Sequence, residues 1–153
     1  MKQHIITRAL AAACALACAV SLAGCGASEE GKIRIGIKFD QPGLGFKKSG
    51  TYVGFDVDVA TYIAEELGYT RDEIVWKEAP SAQREAMLQN GDVDMIIATY
   101  SITDSRKAVV DFAGPYFVAG QDLLVRDDET EINGPEDPNG KRLCSVTGST
   151  SAV

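Results

Sequence analysis

Apolar residues recur along this chain in short blocks, and each block has its own period. Ile33-Arg34-Ile35-Gly36-Ile37 alternates and is β-branched, which predicts a first strand. Lys38 to Gly50 reads as a loop, with Pro42, Gly43 and Gly45 in it. Tyr52-Val53-Gly54-Phe55 leads into a helix whose apolar positions are Val59, Ala60, Ile63, Ala64 and Leu67. Gly68 stands where a C′ glycine ends such a helix. Ile74 to Lys77 predicts a second strand. Pro80-Ser81 opens a second helix, with Ser81 as N-cap, that runs through Arg84, Met87 and Leu88 to Asn90-Gly91. Met95 to Ala98 is apolar without alternation, the pattern of a strand covered on both faces. Thr103 is expected to cap a short helix around Asp104 to Ala108. Val109 to Phe112, Leu123 to Val125 and Arg142 to Val146 read as further strands. The order β-α-β-α-β with short connections predicts an α/β fold with a parallel, right-handed sheet.

The N-terminus has a different pattern. Lys2 and Arg8 precede an alanine-rich apolar run from Ala9 to Val20, too short for a bilayer span but suited to a signal peptide. Leu22-Ala23-Gly24-Cys25 follows and resembles the lipobox of bacterial lipoproteins. On that resemblance residues 1–24 are removed, Cys25 carries lipid, and 25–32 is a polar tether. Loss of Lys2 and Arg8 leaves 13 of the 15 basic residues against all 22 acidic ones, so the net charge moves from −7 to −9. No basic stripe remains for nucleic acid. Broad adhesion to an anionic membrane surface is also disfavoured. A few focused cations can still bind a small anion. The one histidine, His4, leaves with the signal, which removes histidine triads and histidine-based zinc sites from consideration. Cys144 is then odd in an oxidising compartment, which suggests a missing partner.

Open α/β sheets bind ligands outside the carboxyl ends of their strands. At the end of the third predicted strand stand Thr99 and Ser101, with Arg106 a short turn further on. Hydroxyls and a guanidinium suit a carboxylate or phosphate, and a charged hydrogen bond contributes about 1.5–3 kcal/mol. Hydroxyl-rich loops also cap helices, and arginines also lie on solvated faces, so the stretch alone leaves both readings open. Asp56 and Asp58 suit the helix dipole; a metal-binding reading would need a further ligand cluster, and none follows. Gly43-Leu44-Gly45 lacks the third glycine of a dinucleotide fingerprint. The turn Thr147-Gly148-Ser149-Thr150 would normally feed a helix, whose N-terminus suits an anion.

The order of motifs adds to this. Gly54-Phe55-Asp56-Val57-Asp58, Gly91-Asp92-Val93-Asp94, Ser101-Ile102-Thr103 with Arg106, Asp111-Phe112 and Pro115-Tyr116 follow one another. In this order they resemble the polar amino-acid family (family 3) of bacterial extracellular solute-binding proteins, the receptors of amino-acid ABC importers. Lys38-Phe39-Asp40-Gln41-Pro42-Gly43 and Leu143-Cys144-Ser145 look most like the glutamate-binding lipoproteins of actinobacteria. The resemblance implies a type II periplasmic-binding-protein-like lobe over 33–119. It also implies an inter-lobe crossing and the start of a truncated second lobe over 120–153. It implies a binding protein rather than an enzyme, without cofactor or metal, lipid-anchored outside the cell membrane and partnered with importer membrane subunits. Glutamate is the implied ligand. Arg106 is implied to clamp its α-carboxylate, with Thr99, Ser101 and Thr150 assisting, and Lys38 and Arg84 fall where acidic-ligand binders hold the second carboxylate. The same resemblance leaves the partner of Cys144 and the acidic residue for the α-amino group in the second lobe. Dehydratases, lytic transglycosylase-like enzymes and sensor domains share the fold and remain as alternatives.

Overall fold

A computed structural model describes residues 29–152. The expected signal peptide and Cys25 lie outside the described residues. The sheet is built on β1 (Ile33–Ile37), whose side chains are buried at Ile33, Ile35 and Ile37. β4 (Ile74–Glu78) and β5 (Met95–Ile97) flank it, both parallel, in the order β4-β1-β5. Ile35 faces Trp76 on one side and Met95 on the other. The pairing of β1 with β5 is reinforced where β5 begins. The Arg34 N–H donates to Asp94 Oδ2 at 2.8 Å, the Asp94 N–H donates to the Arg34 carbonyl at 2.8 Å, and Arg34 Nη2 meets Asp94 Oδ1 at 2.6 Å.

Helix α1 (Phe55–Glu66) packs on this sheet through Val57, Ala60 and Ala64. Its C-terminus closes as a Schellman motif. The Gly68 N–H donates to the Glu65 carbonyl and the Tyr69 N–H to that of Ala64, both at 3.0 Å, with Gly68 at φ 92°. Leu67 falls just past the helix and is exposed. The short helix α2 (Arg84–Gln89) ends the same way, with Gly91 and Asp92 donating to Leu88 and Met87. Helix α3 (Asp104–Lys107) begins at Thr103, whose Oγ1 accepts the Arg106 N–H at 3.3 Å.

Several expectations need correction. The predicted loop Lys38–Gly50 contains β2 (Phe46–Lys48), paired antiparallel with β3 (Thr51–Val53). Ser49 and Gly50 both take positive φ, 51° and 86°, the two-residue turn that matches strand twist in a hairpin. Ser81 does not cap α2. It is buried in a 3-10 turn, Ser81–Gln83, with Pro80 before it. Val109–Phe112 is not a strand, because the Val109 and Val110 N–H groups both donate to the Arg106 carbonyl and so prolong the α3 turn. Leu123–Val125 and Arg142–Val146 are not strands either. No neighbouring strand lies beside them among the described residues, and Leu124 and Leu143 are exposed.

Candidate functional site

The carboxyl end of β5 and the first turn of α2 bring Arg84, Thr99, Ser101 and Arg106 toward one another. Arg84, the first residue of α2, is only 1% exposed. Its Nε donates to the Ala79 carbonyl at 3.1 Å, just after β4, and its Nη1 to the Thr99 carbonyl at 2.8 Å, just after β5. Nη2 is buried and unpartnered. Burial, with the Arg106 charge adding to it, lowers the pKa of this guanidinium from its ordinary value, against the opposing effect of Tyr100.

Arg106 leaves α3 toward the same place. Its Nε pairs with Glu85 Oε1 at 2.9 Å, its Nη1 donates to the Ser101 carbonyl at 3.0 Å, and its Nη2 to the Gly148 carbonyl at 3.0 Å. Burial pushes the Glu85 carboxyl up, but hydrogen bonding and the Arg106 charge outweigh it, so Glu85 titrates below the usual value. Ser101 Oγ and Thr150 Oγ1 lie 2.7 Å apart, and Gln121 Nε2 donates to the Thr150 carbonyl at 3.1 Å. Arg106, Ser101 and Thr150 therefore form one group. Gly148 takes φ 76°, and a Cβ there would come within 2.6 Å of Ala82 Cα, so a glycine permits this approach.

Lys38 stands apart. It is 5% exposed, and its ammonium pairs with Asp40 at 2.8 Å. The same loop reaches the cluster through Gln41, whose Oε1 accepts from Thr99 Oγ1 at 2.8 Å. Sequence reasoning missed Tyr100, although it sits between the two predicted hydroxyl residues. The Tyr100 ring lies against both guanidiniums, and burial followed by the nearby Glu85 carboxylate pushes its hydroxyl up to about 12.

Asp56 stands in the first turn of α1, as expected, and is only 1% exposed. Tyr116 Oη lies 2.8 Å from both Asp56 Oδ1 and the Ala98 carbonyl, while Asp56 Oδ2 is buried without a partner. Burial raises the Asp56 carboxyl from its ordinary value, against the opposing effects of Tyr116 and Arg84. A phenol has one proton for these two acceptors, so the trio is short of a donor.

Among the described residues no group of three His, Cys, Asp or Glu side chains could hold a metal ion. A concavity of 430 Å³ between the hairpin, α1 and β4 is lined by Tyr52, Thr61, Arg71 and Trp76, and none of the predicted residues takes part in it. The charged cluster sits instead on the strand ends, as the general rule for open sheets requires.

The fold class is the type II periplasmic-binding-protein lobe, the class of the solved amino-acid-binding proteins that this chain resembles. Within that class, the chain belongs to the bacterial extracellular solute-binding proteins, family 3, whose model matches residues 33–147. The glutamate-binding protein GluB of Corynebacterium glutamicum is 49% identical over 153 residues, covering 94% of this chain and 52% of that protein. The glutamine-binding protein of Geobacillus stearothermophilus is 41% identical over 127 residues, covering 81% of this chain and 48% of that one. A solved ancestral arginine-binding protein bound to arginine matches with a TM-score of 0.66 and 39% identity, covering 72% of this chain and 48% of its own. The chain spans about half the length of the curated relatives it matches.

Proposed function

We propose that this chain belongs to the substrate-binding subunit of an amino-acid ABC importer, and that its ligand is glutamate. The observation that carries the reading is Arg84, a buried guanidinium with two N–H groups fixed on backbone carbonyls and Nη2 unpartnered. A buried donor without an acceptor costs about 1–3 kcal/mol, more for a charged group, and a ligand carboxylate would supply the acceptor. A second guanidinium at the same strand ends suits a second carboxylate. In this reading Arg106 holds the α-carboxylate, exchanging the Gly148 carbonyl for it, with Thr99, Ser101 and Thr150 assisting. Arg84 and Lys38 hold the side-chain carboxylate. The kinship with a glutamate-binding protein supports this ligand, while the kinship with a glutamine-binding protein makes the second carboxylate the point to test.

The remaining parts follow the same reading. Residues 33–119 form the first lobe, and 120–153 cross to a second lobe that closes over the ligand. Residues 1–24 are a signal peptide, 25–32 a tether, and lipid on Cys25 holds the receptor outside the cell membrane beside its importer. Binding rather than catalysis is its task. Substitutions in the full-length protein test the roles by calorimetry. Arg106→Ala should lower affinity for every ligand amino acid by about tenfold or more, the effect of losing a charged hydrogen-bond pair. Lys38→Ala should weaken glutamate and spare glutamine. Equal losses for both ligands would remove Lys38 from the side-chain site.

A further inference from the structure

Both arginines converge on the ring of Tyr100. Arg106 Cζ lies 4.6 Å from its ring centroid and Arg84 Cζ 5.2 Å. Phe112 backs the same ring, with centroids 5.3 Å apart and planes at 47°. Two guanidiniums gathered in a partly dry place repel each other. Glu85 pairs with Arg106, whereas the hydrogen bonds of Arg84 go only to the carbonyls of Ala79 and Thr99. An aromatic face attracts each cation and gives both a common surface without neutralising either.

We propose that Tyr100 is a positioning residue that fixes the spacing of Arg84 and Arg106, and thereby the preference between amino acids with one carboxylate and those with two. The inference rests on the reading of these arginines as carboxylate partners. A single-carboxylate ligand needs only Arg106 in place. A dicarboxylic one needs both guanidiniums at a fixed separation, so disturbing the shared ring weakens it more.

The test is calorimetric titration of the full-length protein with glutamate and glutamine, using wild type, Tyr100→Phe and Tyr100→Leu. Tyr100→Phe keeps the ring and should hold both affinities within about threefold. Tyr100→Leu removes it, and should lower glutamate affinity by about tenfold while changing glutamine by about threefold or less. The glutamate-to-glutamine ratio is the decisive quantity, because general loosening of the lobe moves both ligands together. If the leucine variant does not fold, Tyr100→Met serves, with similar bulk and no aromatic face. An unchanged ratio in a folded variant lacking the ring overturns the inference. If the ratio is unchanged but Arg106→Ala still lowers the affinity for both ligands, only the role of Tyr100 falls. Wild-type protein that binds neither ligand overturns the underlying reading as well.

Discussion

Arg84 reads in the sequence as a carboxylate partner and Asp56 as a first-turn acid of a helix, and neither reading says that both are 1% exposed. Periodicity places a residue on a helix, but it does not say what a long polar side chain does once the helix is packed. Arg84 is held because the carbonyls after β4 and β5 need donors there. Asp56 is held by Tyr116, which is 60 residues away in the chain and beyond the reach of any local pattern. The proton balance around Asp56 has a measurable consequence. Its folded pKa is raised above the ordinary 3.8, so its stabilising contribution is full below that value and declines as pH rises through the raised one. Asp56→Asn keeps a neutral side chain at every pH. Its melting temperature relative to wild type should therefore increase as pH is raised from about 4 toward neutrality. A relative decrease over that range would mean that the ionised carboxylate is the stabilising form.

At the level of elements, β1 shows how much a short pattern can carry. Its alternation predicted a strand, and it became the central strand because both of its edges find parallel partners. Gly36 in its middle is there for close packing. A Cβ at this position would meet Ile96 Cγ1 at 2.7 Å and Ala79 Cβ at 3.1 Å. Gly36→Ala should cost about 1–3 kcal/mol by overpacking, read as a lower denaturant midpoint with unchanged slope. No loss would mean that Ile96 moves aside freely. The parallel sheet, α1, α3 with its Thr103 cap, and the glycine stops at Gly68 and Gly91 were all legible, because local period and turn chemistry set them. The hairpin was only partly legible, since Ser49-Gly50 marks a turn but three-residue strands are too short to show a period. The expected strands Leu123–Val125 and Arg142–Val146 were not decidable locally. β propensity describes what fits beside a neighbour, and that neighbour is a property of the tertiary fold.

For the molecule as a whole, the balance of charge and the cluster of cations must be considered together. A chain with formal net charge −7 gathers Arg84 and Arg106 at one set of strand ends. Glu85 offsets one of these charges and Asp40 that of Lys38, so the place stays mildly cationic in an acidic protein. Such focusing favours a small anionic ligand over a polymer or a surface. Much of the candidate site was legible as residue types, since Thr99, Ser101 and Arg106 stand together in sequence. Its architecture was not, since the contacts of Tyr100 with both arginines, of Glu85 with Arg106 and of Arg106 with the Gly148 carbonyl are made in space. The proposed two-carboxylate site makes one comparison more direct than any substitution. The full-length protein, titrated calorimetrically with glutamate, aspartate and glutamine under one set of conditions, should bind glutamate at least about tenfold more tightly than glutamine. Absence of heat with all three, or glutamine bound as tightly as glutamate, would contradict it.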